Sequence, residues 1–395
     1  MKQIQCYLIR PLSPLVFRTG KPFGSQSDAS DILFPLPSSG AGLVRTQTLL
    51  QADLPLTEGS HGSLQLSAED QEKLQAIAHK GPFLVELFED GSYEIFTAKP
   101  ADALYLKNKA TGNIELVRLT PQNLSDAAIM GADLPKGLLP VMMEKSLKGK
   151  PQPGAQLWTL KDSLAWQNGQ TLTFKEVDAR GIRTLPVDIR THVAIDAETH
   201  AGVEGKLFQS ASYDFGAIRK ENYDGWHEKS YGFMLLSDAD LKENHVRFGG
   251  ESRLSEMTLT ALPEALKGEM TLGESIAEKG GFKLTLTTPG IFANGYIPGW
   301  INLETMEGTL PGSHVKVRLK ACCMDRWLPV SGWDLHQKKP KAMRKAVSAG
   351  AVYWFELVEG DAKNLHEHFF TSISDDQQDQ KDGFGIVTIA PWALQ

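Results

Sequence analysis

Cysteine is scarce in this chain: Cys6, Cys322 and Cys323 are the only ones among 395 residues. The adjacent Cys322 and Cys323 are poorly spaced to bond each other or to build a zinc knuckle, so neither a disulfide framework nor a metal or other cofactor is expected. Long apolar runs are missing too. No stretch approaches the roughly 20 apolar residues of a membrane-spanning helix. The opening Met1-Lys2-Gln3-Ile4-Gln5-Cys6 passes directly into an alternating pattern, without the apolar core of a secretory signal. A cytoplasmic protein is expected. Positive charge is also in deficit, with 41 Lys and Arg against 48 Asp and Glu and a net charge of −7. That balance excludes broad, salt-driven attraction to nucleic acid and confines any RNA site to a local patch. Finally, no Gly-x-x-x-x-Gly-Lys-Ser/Thr, His-Glu-x-x-His or Gly-x-Ser-x-Gly occurs. The commonest nucleotide hydrolases, zinc proteases and esterases are thereby removed.

What is present is ordinary for a folded protein: 41% hydrophobic and 23% charged residues. The length exceeds a single core, so two domains are expected. Ile4, Cys6 and Leu8 alternate with Gln5, Tyr7 and Ile9 up to Pro11, which reads as a first strand. Pro37-Ser38-Ser39-Gly40 offers helix-capping chemistry, and Leu43, Gln47 and Leu50 then fall on one helical face. Residues 83–88 and 93–96 flank Asp90-Gly91, the signature of a tight hairpin. Strand, helix and hairpin in that order suggest a split β-α-β unit of the ferredoxin type. The second half echoes the first. Phe282, Leu284 and Leu286 alternate with Lys283, Thr285 and Thr287 before Pro289-Gly290-Ile291-Phe292, much as the first strand runs into Pro14-Leu15-Val16-Phe17, so an internal duplication is expected. Residues 315–320 and 351–355 read as further strands, and residues 120–154, rich in Pro, Gly and Lys, as the crossover between domains.

Three loops combine glycine with a cation and an aromatic or small polar residue: residues 17–23, 246–253 and 381–385. Glycine admits a phosphate close to the backbone, and the cation adds a charge-assisted hydrogen bond. A fourth segment, Arg190-Thr191-His192-Val193-Ala194-Ile195-Asp196, mixes a strand-like core with an exposed cation and imidazole. The run Lys338-Lys339-Pro340-Lys341-Ala342-Met343-Arg344-Lys345 holds five cations in eight residues, which are best tolerated where an anion lies close by. His366-Glu367-His368 would put two imidazoles on one face of a strand, but without an evident third ligand it is read as surface.

Several of these segments resemble one known family. Phe17-Arg18-Thr19-Gly20-Lys21-Pro22-Phe23, the run from Phe34 through Gly40 to Arg45, and Gly81-Pro82-Phe83-Leu84 are similar to the repeat-associated mysterious protein (RAMP) superfamily of CRISPR systems. Within it they are most similar to the third-subunit family of the type III-B Cmr complex. Arg190 to Asp196 with Glu204-Gly205-Lys206-Leu207-Phe208, Arg247 to Leu254, Ser331-Gly332-Trp333-Asp334-Leu335 and Asp382-Gly383-Phe384-Gly385 continue the likeness in order.

The resemblance implies an α+β fold of two ferredoxin-like (RRM-like) domains with antiparallel sheets and long loop insertions, placed at 1–150 and 151–395. It implies a non-catalytic subunit of a type III effector in antiviral defence, binding the repeat-derived 5′ tag of the crRNA. Its protein partners would be the large polymerase-like subunit and the adjacent backbone subunit. The RNA-binding candidates are Arg18, Lys21, Gly40, Arg45, Arg190, His192, Lys206, Arg253, Lys338, Lys339, Lys341, Arg344, Gly383 and Gly385. One departure puts the last two in question: Ile386 to Trp392 follow without the second glycine cluster and cation common in the superfamily. The rival readings are a RAMP endoribonuclease using Asp28 or Asp31, a guide-processing ribonuclease with His192 as general base, and a protein-only scaffold.

Overall fold

The computed structural model describes residues 3–17, 34–52, 57–59, 63–123, 133–215, 230–334 and 339–394. The structure is mixed α/β, and its sheets are built from antiparallel pairs. The chain divides into two compact units, neither continuous in sequence. Met1–Tyr93, Leu185–Ala261 and Pro329–Arg344 form the first, and Glu94–Thr184, Leu262–Leu328 and Lys345–Gln395 the second. Residues 150 and 151, where the sequence suggested a boundary, both fall in the second unit. The described residues of 120–154 are not a linker. They complete a four-stranded sheet of Ala103–Asn108, Ile114–Pro121, Val141–Met143 and Gly149–Pro151.

The first unit opens with β1 (Gln5–Pro11), whose alternation buries Tyr7 and Ile9. Helix α1 (Pro37–Gln51) follows, and its start differs from expectation. Leu36 is the cap residue without a side-chain hydrogen bond, and Pro37 sits in the first turn, so the preset φ of proline starts the helix in place of a serine hydroxyl. Gly40, Ala41, Leu43, Val44 and Gln47 are buried, whereas Leu50 in the last turn is exposed. The helix packs on β2 (His79–Leu87). At the end of β2 the expected turn is present: Gly91 has φ 81°, and the Asp90 carboxylate accepts from the Ser92 amide at 2.9 Å.

Next come β3 (Val187–Ile195) and β4 (Gly202–Tyr213), which pair with each other as a separate ribbon. Strands β5 (Ser230–Ser237), β6 (Asn244–Arg247) and β7 (Leu254–Thr260) then join β1 and β2, with order β2-β5-β1-β7-β6 within a seven-stranded sheet that Tyr93–Ala98 and Leu157–Thr159 continue beyond β2.

In the second unit, β8 (Gly281–Leu286), β9 (Lys316–Cys323), β10 (Val352–Glu359) and β11 (Ile386–Pro391) assemble in the order β9-β10-β8-β11. Numbered within each unit, the four main strands follow one order, second, third, first, fourth. The two segments linked by the sequence echo, β1 and β8, thus occupy the same place in this four-strand order.

Phe282, Leu284, Leu319, Tyr353 and Phe355 form the core on one side of this sheet. Contrary to the alternation of its sequence, β8 is buried on both faces. Lys283 is buried with its Nζ 3.3 Å from Asp102 Oδ2, and the Trp166 indole donates to Asp102 Oδ1 at 2.8 Å. Arg118 lies 3.6 Å from the Trp166 ring centroid. Burial pushes the Lys283 amine below its ordinary value, and the Asp102 carboxylate partly counters that.

Candidate nucleic-acid interface

Two of the segments singled out in the sequence meet in the first unit at residues 15–17. Leu15 exchanges both main-chain hydrogen bonds with Tyr213, each 2.8 Å, and so fastens the base of the β3–β4 ribbon. The next residue, Val16, accepts from the Gly250 amide at 2.7 Å and fastens the loop between β6 and β7. A side chain at Gly249 (φ 82°) would meet the Val16 carbonyl at 2.7 Å, which is why glycine stands there. Phe17 packs edge-on against Phe248 and Phe233, with centroids 5.0 and 6.3 Å away. The ribbon and the glycine loop therefore hang from the three residues that precede position 18. Arg18 and Lys21, like Asp28 and Asp31, lie outside the described residues.

The ribbon has two unlike faces. Its register pairs Asp188 with Ser212, Arg190 with Ser210 and His192 with Phe208, which gathers these six on one face. The His192 and Phe208 rings stack at 5.1 Å with planes 17° apart, and His192 Nε2 lies 2.7 Å from Ser210 Oγ. Arg190 Nε donates to Asp188 at 2.7 Å from an exposed position. By alternation from Phe208, the exposed Lys206 falls on this face as well. The other face carries the exposed Ile189, Val193 and Leu207. A cation pair flanking a flat, accessible aromatic surface is equipped to take a nucleobase and its phosphates.

Arg253 lies at the end of the β6–β7 loop, where Glu251 and Ser252 adopt φ 58° and 53°, and its guanidinium pairs with Glu251 at 2.8 Å. Gly40 and Arg45 are placed for packing. A methyl group on Gly40 would collide with the imidazole of His79, and half-buried Arg45 donates from Nε to the Leu74 carbonyl at 3.0 Å.

A family model described as CRISPR-associated protein (Cas_Cmr3) matches residues 7–392. The chain belongs to this Cmr3 family. It is thus a subunit of the type III CRISPR effectors. Among solved structures, a chain of the type III-B Cmr-beta complex bound to cognate target RNA is similar at 14% identity and a TM-score of 0.49, covering 97% of this chain and 96% of that one. A chain of the same complex with target RNA and AMPPnP gives 14% identity, TM-score 0.44 and coverages of 89% and 86%. A chain of the Csm3–Csm4 subcomplex from a type III-A interference complex gives 10%, 0.34, 90% and 94%. Among curated proteins none matches this sequence.

Elsewhere in this Cmr3 family member the candidates are dispersed. Lys338 lies outside the described residues, and Lys339 is described only as the start of a two-residue strand, Lys339–Pro340, paired with Trp333–Asp334. Lys341 is exposed, and its main chain is tied to Gly332 and Ser331. Arg344 is exposed as well.

Gly383 and Gly385 are left-handed, with φ 86° and 71°, and both are buried. The amides of Gly383, Phe384, Gly385 and Ile386 donate to Gln380, Asp379, Pro289 and Thr288 respectively. The loop has no main-chain donor left for a phosphate, and Gly385 serves a close approach to Ser374. His366 and His368 lie in a 3-10 turn, Ala362–His368, in place of the strand expected there. Phe208 is not among the candidates drawn from the sequence, although its spacing from Lys206 and Ser210 marks a shared strand face.

Proposed function

We propose that this subunit is a non-catalytic, guide-binding member of its effector, holding the repeat-derived 5′ tag of the crRNA. It would contact the large polymerase-like subunit and the adjacent backbone subunit, with both units ferredoxin-like. The single observation that carries the reading is the β3–β4 ribbon face, where His192 stacked on Phe208 lies between Arg190 and Lys206. An acidic chain binds RNA through a local patch, and this face combines an exposed stacking surface with cations. The shared strand order of the two sheets, second, third, first, fourth, supports the ferredoxin-like reading.

The test is filter binding to RNA that carries the 5′ tag, against RNA of equal length with the tag scrambled. Tighter retention of the tagged RNA is expected. Equal retention removes tag recognition, and no retention of either RNA moves the protein-only scaffold to first place.

A further inference from the structure

A tryptophan left in water forgoes the burial of a large apolar surface, so an exposed one calls for a partner. Trp327 is 55% exposed. Lys345 Nζ lies 5.2 Å from the centroid of its ring, a cation–π contact that restrains the indole. Arg326 beside it and Lys345 are both exposed. The carboxylate of Asp325, two positions before Trp327, exerts its charge on the amine of Lys99. All these residues belong to the second unit, whereas the ribbon belongs to the first.

We propose that Trp327, Arg326 and Lys345 form a second RNA site, at which an unpaired base stacks on the indole while the two cations take the adjoining phosphates. Every base offers a π-face, so such a site is tolerant of sequence. Restraint by Lys345 lowers the ordering cost of stacking, because the ring is already held when the base arrives. An indole that anchors a protein interface sits at the centre of a patch depleted in charge. Here Lys345 lies over the ring and the exposed Arg326 precedes it in the chain, and two cations favour a polyanion. The inference rests on the guide-binding reading, which supplies the single-stranded RNA.

The experiment uses the assembled effector with its guide RNA and measures guide affinity across a salt series for Trp327→Ala, Trp327→Phe and Lys345→Gln. Trp327→Ala is expected to weaken binding by roughly 5- to 150-fold, the effect of one stacked base, with the salt slope unchanged. Trp327→Phe should keep most of the affinity, and Lys345→Gln should lower the slope by about one. Unchanged affinity in Trp327→Ala overturns the proposal. So does loss of a protein subunit from the complex with guide affinity intact, because the indole then faces protein. Phe208→Ala, run in parallel, separates the two levels. If it weakens guide binding while Trp327→Ala does not, this site alone falls; if neither does, the guide-binding reading falls with it.

Discussion

The imidazole of His192 lies almost flat against the phenyl ring of Phe208, with centroids 5.1 Å apart and planes at 17°, although 16 positions separate them in the chain. The ribbon register sets them opposite one another, and the Ser210 hydroxyl steadies the imidazole from one strand position away. Both strands are largely exposed at this level, so the pair stabilises little by burial. Its orientation is therefore available to a ligand.

The first prediction concerns that pair. In the assembled complex, Phe208→Ala should weaken guide retention by roughly 5- to 150-fold without altering its salt slope, whereas Arg190→Gln should lower the slope by about one. Retention equal to that of the unchanged protein across the whole salt series would assign this face to protein or solvent.

Gly40 tests packing against RNA contact. Because a methyl group there strikes His79, Gly40→Ala should destabilise the fold by about 1–3 kcal/mol, the usual cost of overpacking, while the salt slope of guide binding stays constant. Thermal unfolding and a salt series decide between the roles. An unshifted melting temperature with a reduced slope would return Gly40 to the RNA path.

The buried Lys283–Asp102 pair gives a stability prediction with a pH signature. Asp102→Asn leaves the ammonium uncompensated and should cost about 3–5 kcal/mol, whereas Lys283→Met combined with Asp102→Asn should recover much of the loss. Burial holds the folded-state pKa of Lys283 below the ordinary 10.5. Between those two values the unfolded chain binds more protons than the folded one, so stability rises with pH there. Without Asp102 the folded value drops further. The deficit of Asp102→Asn should accordingly be largest at low pH and shrink as pH approaches 10.5. A deficit independent of pH in urea titrations would mean that Lys283 is not the charge being left alone.

Replacing Asp28 and Asp31 together by alanine should leave target-RNA cleavage by the assembled complex unchanged, as a non-catalytic subunit requires. Loss of cleavage with intact assembly would promote the ribonuclease reading.

Legibility in the sequence followed the range of the interactions. The strand ending at Pro11 and the Asp90-Gly91 turn depend on neighbours within a few positions, and both were readable. Arg190 to Asp196 was readable as a strand, but its partner at 202–213 was not, because pairing is decided by register. Lys283 looked like an outward residue of an alternating strand. It is buried because Asp102, 181 positions away, supplies the counter-charge. The glycines at 383 and 385 looked like a phosphate loop because glycine serves close approach to a ligand and to the protein's own chain equally well. At Gly385 the approach is to Ser374, which lay beyond any local pattern.

The interleaving of the two units constrains how the molecule can be made. During synthesis the first sheet lacks a strand until Leu254–Thr260 has emerged, and residues 94–184 of the second unit are made well before β8 to β11, the strands that complete their unit. Neither half of the gene encodes a self-sufficient piece. A nascent chain of this kind must keep the incomplete apolar surface of the second unit from associating until the strand Ile386–Pro391 arrives, so neither unit can close before a segment of the other has been made.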